Sequence, residues 1–577
     1  MTLISIRERS GPGDANATVS FDGQGEYPVV VGLPFSDEEE ARLEWYFEQH
    51  LRFPFTEQVR ARAAAASVGE YGERLFKQIF RDNSDVYGDY KAALQAGVGG
   101  MLFEIAGAPE FQRLHWEALK DPNLPRAFAL EAPMLRKNLV PQAVKATLRP
   151  SPTINLLVVV ARPGGARDVG YRTISRPLVE ALRQAGPPIQ IEILRPGSYQ
   201  ALVEHLEATR DAHGAGHYHV IHFDLHGAVL EYQQLHQGIK AERYTYQARY
   251  GRADLKPYAG RNAFLFFEGA GDERSDPVEA GELADLLIAH QLPIAILNAC
   301  QSGKQIGASE TSLGSRLMQA GVQLVLAMGY SVTVTAAELL MRTLYTQLFG
   351  GADLAAAIRR ARLELYNRKE RRAYYDQTID LEDWLLPVVY QNQPQRLATR
   401  EFTPDEGKLH YERQAAAYPE PRTAYGFVGR DLDILNIERR LLAGQGRHAG
   451  LPVLVRGMGG AGKTTLLRYL GWWWQTTRLV DQVFYFGYDE RAWTRQQIMD
   501  AIARQLLTPV EYVGAFQPLS LDAQQAMLAG RLRAKRQLLI LDNLESITGA
   551  QLAIQNTLPP QEQAALRDLL AALAGGK

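Results

Sequence analysis

The spacing of apolar and polar positions divides the chain into stretches of different period. The first 150 residues open on a short β-like run, Thr2 to Glu8, followed by another at Pro28 to Val31, and turn helical at Ser36. The run Ser36-Asp37-Glu38-Glu39 predicts a capping box, in which the serine hydroxyl and a glutamate carboxylate each accept a free N–H at the helix start. Amphipathic stretches of helical period continue through Trp116 to Leu139, so residues 1–150 are expected to be a mainly helical region. From Ile154 the period changes. Short apolar runs alternate with helical stretches, the sequence form of a parallel sheet covered by helices. The runs are Ile154–Ala161, Ile189–Leu194, Tyr218–Leu225, Ala263–Phe267, Pro293–Leu297 and Val322–Ala327. Helical stretches at Ile174–Ala185, Tyr199–Arg210, Ala280–His290 and Thr333–Phe349 separate most of them. A long polar and aromatic stretch, Ala228–Asn262, breaks the alternation after the third run and reads equally as a lid or as a solvated excursion.

Gln391–Arg422 is rich in charge, Pro and Gln without clear periodicity and reads as a linker. A second α/β module follows from about Phe427, with strands expected at Val453–Arg456, Val483–Phe486 and Gln537–Leu541. The resulting division is 1–150, 151–392, a linker at 393–425 and a module at 426–577, in keeping with 577 residues being too many for one core.

Composition narrows the choice of partner. Apolar residues make up 46% and charged residues 22%, ordinary globular values, and 63 basic against 65 acidic residues leave a net charge of -2. No electrostatic footprint for nucleic acid or an anionic membrane results. With no apolar segment of about 18 residues and no basic stretch followed by an apolar run at the N-terminus, a soluble, cytoplasmic protein is expected. The single cysteine, Cys300, excludes intramolecular disulfides and multi-cysteine metal sites, so no structural metal is expected.

Gly457-Met458-Gly459-Gly460-Ala461-Gly462-Lys463-Thr464 is a complete Walker A motif, placed between an expected strand and a helix starting near Thr465. Glycines let backbone N–H groups curl round phosphates, Lys463 balances their charge, and Thr464 offers a hydroxyl to Mg²⁺. The apolar run Leu538–Leu541 ends in Asp542, where a Walker B carboxylate orients Mg²⁺ through water. ATP or ADP with Mg²⁺ is the expected ligand, bound by Gly457, Gly459, Gly460, Gly462, Lys463, Thr464, Thr465 and Asp542. Asn543 and Glu545 read equally as water-positioning groups and as ordinary strand-end polar residues. Trp472-Trp473-Trp474 reads as core packing. Over residues 427–577 the module resembles NACHT and NB-ARC type STAND ATPases. That resemblance implies self-association through the module and places Phe427-Val428-Gly429-Arg430 over the adenine. The chain ends before the family's sensor strand, which implies a truncated module and leaves hydrolysis open.

Cys300 follows Pro293–Ala299, so it stands at the C-terminal end of a buried strand, where open α/β sheets collect their chemistry. His226-Gly227 ends another apolar run and shares that edge if the two strands are neighbours. An imidazole there can act as base to the thiol, and the Gly227 and Cys300 N–H groups can form an oxyanion hole. A metal site is the competing reading, because His222, Asp224 and His226 alternate and so share one strand face. No second ligand cluster follows, and it leaves the Asn-Ala-Cys run unexplained.

His-Phe-Asp-Leu-His-Gly followed by Leu-Asn-Ala-Cys-Gln-Ser resembles a CHAT domain, a caspase- and separase-like peptidase, over roughly residues 152–392. The likeness extends to the Ser312–Ala320 helix, the Val325–Met328 strand and Asp383-Trp384-Leu385-Leu386-Pro387. It implies a caspase-like α/β fold in which Cys300 is the nucleophile and His226 the general base cleaving a protein through a thioester, with no third residue required. Some relatives carry a carboxylate two residues before the cysteine. Asn298 stands there, so a preference for Arg or Lys is not implied, and Asp224 is the other candidate lining the specificity pocket. The combined resemblance implies a nucleotide-controlled protease in bacterial signalling or anti-phage defence. The alternative is a CHAT fold that binds without cleaving.

Overall fold

The structure is a computed structural model that describes residues 1–9, 15–137, 145–181, 188–246, 255–269, 274–299, 313–330, 332–373, 377–393, 396–397, 399–422, 426–442, 452–548 and 556–573. The chain divides into two compact units, residues 1–190 with 194–401, and residues 402–577 with 191–193.

The first unit is built on β1 (Thr2–Glu8), β2 (Ala17–Phe21), β3 (Gln24–Val29), β4 (Met101–Ala106), β5 (Met134–Lys137), β6 (Ile154–Val160), β7 (Ile189–Leu194), β8 (Val220–Asp224), β9 (His226–Glu231), β10 (Arg261–Glu268), β11 (Ser275–Glu279), β12 (Ile294–Asn298), β13 (Leu324–Met328), β14 (Glu370–Arg372), β15 (Thr378–Asp380) and β16 (Pro387–Gln391). Eleven of these form one sheet in the order β3-β2-β1-β4-β5-β16-β13-β12-β8-β6-β7. Parallel pairing joins β6 to β8, β8 to β12 and β12 to β13. The direction reverses at β16, antiparallel to β13, and β5, β4 and β1 then run parallel to β16. Every residue of β6, β8 and β13 is buried, as expected of strands covered on both faces. Register aligns Val160 with Asp224 and Asp224 with Asn298, so three strands end level at one edge.

The region expected to be mainly helical does carry helices, at Asp37–Glu48, Gln58–Phe76 and Ser84–Leu94, and the first begins with the capping box of Ser36 and Glu39. It also contributes β1 to β5 to the sheet, and no unit ends at residue 150. The apolar run of β4 is only six residues long and lies among helical stretches, a length at which periodicity does not separate strand from helix.

A second difference concerns Ala263–Phe267, expected in the main sheet. It lies in β10, the middle strand of a three-stranded antiparallel sheet, β11-β10-β9. Ala263, Leu265 and Phe267 face the main core, while Phe264 and Phe266 pack with Leu235 on the other side. Burial on both faces gave it the look of a parallel strand. The polar stretch before it contributes β9 and the helix Tyr232–Lys240.

In the second unit β17 (Gln482–Gly487) and β18 (Gln537–Asp542) pair in parallel, and the helix Lys463–Thr476 packs on both. Trp473 and Trp474 are buried, as expected, and the Trp474 indole N–H donates to Glu438 at 2.7 Å. The strand expected at Val453–Arg456 is not formed, and Leu454 is 62% exposed, so its apolar side chains lack the sheet neighbour they anticipate. The expected linker contains a helix, Pro404–Ala415, capped by Thr403 and Glu406 and burying no residue. Mostly polar, with Leu409 and Tyr411 exposed, it leaves no periodic trace in the sequence.

Candidate active site and nucleotide cradle

His226 follows the end of β8 by one residue and opens β9, so it stands where the chain leaves the main sheet for the small one. Its side chain is 48% exposed, and its Nε2 lies 2.9 Å from Asp168 Oδ1. Asp168 closes the loop after β6, and its Oδ2 accepts the Gly164 N–H at 2.7 Å. A Cβ on Gly164 would meet Asp168 Oδ1 at 2.7 Å, so glycine there allows the loop to fold onto the carboxylate. Burial pushes the Asp168 carboxyl upward, but the hydrogen bond and charge of His226 and the Gly164 N–H outweigh it and hold it below its ordinary value. An ionised Asp168 accepting from Nε2–H fixes the neutral imidazole with its lone pair on Nδ1, the nitrogen left to take a proton.

Sequence reasoning missed Asp168. It lies in an aperiodic loop, and the available signal was Pro163-Gly164-Gly165 shortly after β6, at the edge where βα loops gather.

Asp224 and Asn298 come together, as adjacent strand ends require: Asn298 Nδ2 donates to Asp224 Oδ1 at 3.1 Å. The other oxygen, Oδ2, accepts from Arg162 Nη2 at 2.6 Å in an ion pair buried on both sides. Arg162 also donates to the backbone oxygens of Asp224 (2.8 Å), Ala161 (3.0 Å) and Val169 (2.9 Å). Gly227 sits in β9 opposite Leu265. Cys300 lies outside the described residues. Ala299, its neighbour, is buried just beyond the end of β12, at the edge His226 occupies.

The three alternating residues of the metal reading find three different partners. His222 Nδ1 meets the Tyr345 hydroxyl at 2.7 Å, and burial drives this imidazole down to about 4 against the opposing pull of Asp224. Asp224 pairs with Arg162 and His226 with Asp168. Among the described residues no group of three or more His, Cys, Asp or Glu side chains is placed to hold a metal.

In the second unit Gly460 and Gly462 adopt φ of +77° and +80°, the left-handed region that lets successive N–H groups turn inward. Space around Gly459, Gly460 and Gly462 is open. Lys463 Nζ folds over the loop, donating to the Gly457 oxygen at 3.0 Å and the Met458 oxygen at 3.2 Å. Thr464 and Thr465 occupy the first turn of the following helix. Asp542 ends β18, buried, and accepts the Tyr485 hydroxyl at 2.7 Å and the Asn543 N–H at 3.0 Å. Arg430 donates to the Ala461 oxygen at 2.6 Å, and Phe427 stacks on Tyr469 with ring centroids 4.0 Å apart. An open, glycine-lined turn at a helix N-terminus, with a lysine laid across it, fits a polyphosphate.

Strand order and motif define the class: an open α/β domain followed by a P-loop module. Residues 75–396, more than half of the chain, match the CHAT domain family, and the protein belongs to that family. Residues 451–577 match the NACHT domain. The CHAT match begins within the helix Gln58–Phe76 and so takes in β4 and β5. Among solved structures, separase in the Saccharomyces cerevisiae separase–securin complex is 10% identical, the alignment covering 51% of this chain and 16% of that one, with a TM-score of 0.26. Gingipain R, an Arg-specific cysteine proteinase, is 9% identical, with 59% and 77% covered and a TM-score of 0.32. No curated protein sequence matches. No helix among the described residues is long and apolar enough to cross a membrane.

Proposed function

We propose that this chain is a cysteine endopeptidase governed by a nucleotide-binding module. The observation that carries the reading is the Asp168–His226 pair, set at the edge toward which β12 delivers the only cysteine of the chain. The Cys300 sulfur attacks the scissile carbonyl carbon while His226 Nδ1 takes the thiol proton. The proton passes to the leaving amine, a thioester remains on Cys300, and water cleaves it with His226 again as base. Backbone N–H groups of Gly227 and Cys300 are the candidate donors to the oxyanion. Asp168 is a positioning residue that holds the ring and stabilises its protonated form.

The P-loop would hold ATP or ADP with Mg²⁺: Lys463 and the loop N–H groups would meet the negative charge of the phosphates, and the Thr464 hydroxyl and the Asp542 carboxylate would serve the cation. Nucleotide state and self-association of this module set protease activity, in a cytoplasmic bacterial signalling or defence pathway. The test is mass-spectrometric substrate profiling of the full chain with and without ATP and Mg²⁺, against Cys300→Ala and His226→Ala. New protein termini dependent on both residues are expected. Identical termini from the variants would overturn the peptidase reading and leave a binding module.

A further inference from the structure

Beside His226, which lines its mouth, the sheet edge opens into a cavity of about 100 Å³, whose other polar members are Arg162, Thr173, Asp224 and Asn298. Its walls are aliphatic, with Ile174, Leu225, Met328 and Val332 among them. Ala299, the residue before the cysteine, also lines it, so the cavity adjoins the position at which an acyl group is formed. That neighbourhood suits it to the side chain on the acyl side of the scissile bond (P1).

The charges inside decide what it accepts. The one carboxylate, Asp224, is 4% exposed and spends one oxygen on the Arg162 guanidinium and the other on the Asn298 amide. Arg162, 3% exposed, is held by that carboxylate and by three backbone oxygens, so it is fixed in place as the counter-charge. Carboxylate and guanidinium cancel, and the cavity carries no net charge for a cationic side chain to answer. An incoming guanidinium or ammonium would lie beside Arg162 and would have to displace it from Asp224. An incoming carboxylate would face Asp224. A hydrocarbon side chain leaves the ion pair intact and covers the aliphatic walls. The cavity is smaller than the roughly 150 Å³ that holds a benzene ring, which favours a Leu or Met side chain over an indole.

We infer that the Arg162–Asp224 ion pair makes this cavity a P1 pocket for uncharged aliphatic side chains, Leu or Met, and closes it to Arg and Lys. The inference rests on the peptidase reading, and the experiment separates the two. The full chain, with ATP and Mg²⁺, is incubated with a proteome-derived peptide library and, separately, with acyloxymethyl ketone peptides carrying Leu, Arg or Asp at P1. Cys300→Ala is the control. Cleavage after Leu and Met is expected, with the P1-Leu probe labelling Cys300 about a hundredfold faster than the P1-Arg probe. Cys300-dependent cleavage mainly after Arg or Lys would overturn the pocket inference while leaving the peptidase standing. Absence of any Cys300-dependent cleavage or labelling would overturn both.

Two variants examine the charge argument. Asn298→Asp adds a second carboxylate, takes the cavity from neutral to negative, and is expected to bring cleavage after Arg and Lys while that after Leu falls. An unchanged P1 profile in Asn298→Asp would overturn the assignment of selectivity to pocket charge. Arg162→Met, if it folds, is expected to shift the profile the same way by freeing Asp224.

Discussion

The two candidate sites stand on differently built sheets. The sheet edge that carries His226 terminates four adjacent strands, of which β6, β8 and β13 are buried at every residue, and its polar groups are tied by backbone-anchored contacts such as Arg162 to three carbonyl oxygens. The nucleotide cradle relies on the two-stranded β17–β18 pair, in which β18 is only partly buried, on short-range contacts of Lys463 within the loop, and on Arg430, which reaches the loop from 31 residues upstream. Where the first site takes its shape from the sheet core, the second takes it from local groups that a ligand can replace. A catalytic imidazole benefits from the first construction, whereas a phosphate-responsive loop benefits from the second.

The largest effects expected are those that remove chemistry from the rigid edge. Cys300→Ala or His226→Ala should lower kcat/KM for peptide cleavage by at least about a thousandfold while leaving the circular dichroism spectrum unchanged. In the cradle, Lys463→Ala should weaken nucleotide binding by about 30- to 100-fold by titration calorimetry, the loss of one charge-assisted contact. If cleavage by Lys463→Ala stays at the parental level, the two sites are not coupled.

Asp168→Asn should lower kcat by about 10- to 100-fold, mainly by disfavouring the correct imidazole tautomer, and should alter the pH–rate profile, which a purely structural loss would not. Asp168 titrates below its unfolded value of 3.8, so its contribution to stability is complete above that pH and fades as pH falls through the folded value. Parent and Asp168→Asn should therefore converge in stability only once the pH has fallen through the lowered, folded-state value of Asp168.

The core comparison is tested by paired truncations. Leu297→Ala, at a fully buried β12 position, should cost about 3 kcal/mol in chemical denaturation, and Leu539→Ala, in half-buried β18, about half of that. The smallest effect expected is about 1 kcal/mol for Ser36→Ala, which removes the hydroxyl that accepts the Glu39 N–H at the start of the first helix.

What the sequence disclosed follows the same division. Strands buried on both faces give continuous apolar runs, so β6, β8, β12 and β13 were legible, while the half-buried edge strand β7 showed through its alternating isoleucines; the convergence of His226, Asp224 and Asn298 on one edge was legible too. β4 and β5 were not, because four to six apolar residues among helices carry no period of their own. Asp168 and Arg162 were illegible for another reason: a loop carboxylate and a strand-end arginine acquire roles only through partners 58 and 62 residues away. The Walker A residues were plain from their spacing, since phosphate binding is local. The strand expected before them shows that a motif does not guarantee its flanking sheet.

The reversal of direction at β16 has a consequence for how the protein is made. Its antiparallel seam with β13 and parallel pairing with β5, through Tyr390 and Arg136, make it, among the described residues, the strand that links β1–β5 to the strands carrying the candidate site. A ribosome adding about 5–20 residues per second needs roughly 10 to 50 seconds to travel from β5 to β16. During that interval β5 has an open edge, and the polypeptide bearing His226 and Cys300 has already been synthesised. Completion of the sheet, and with it full support for the candidate site, is timed by the arrival of its last strand.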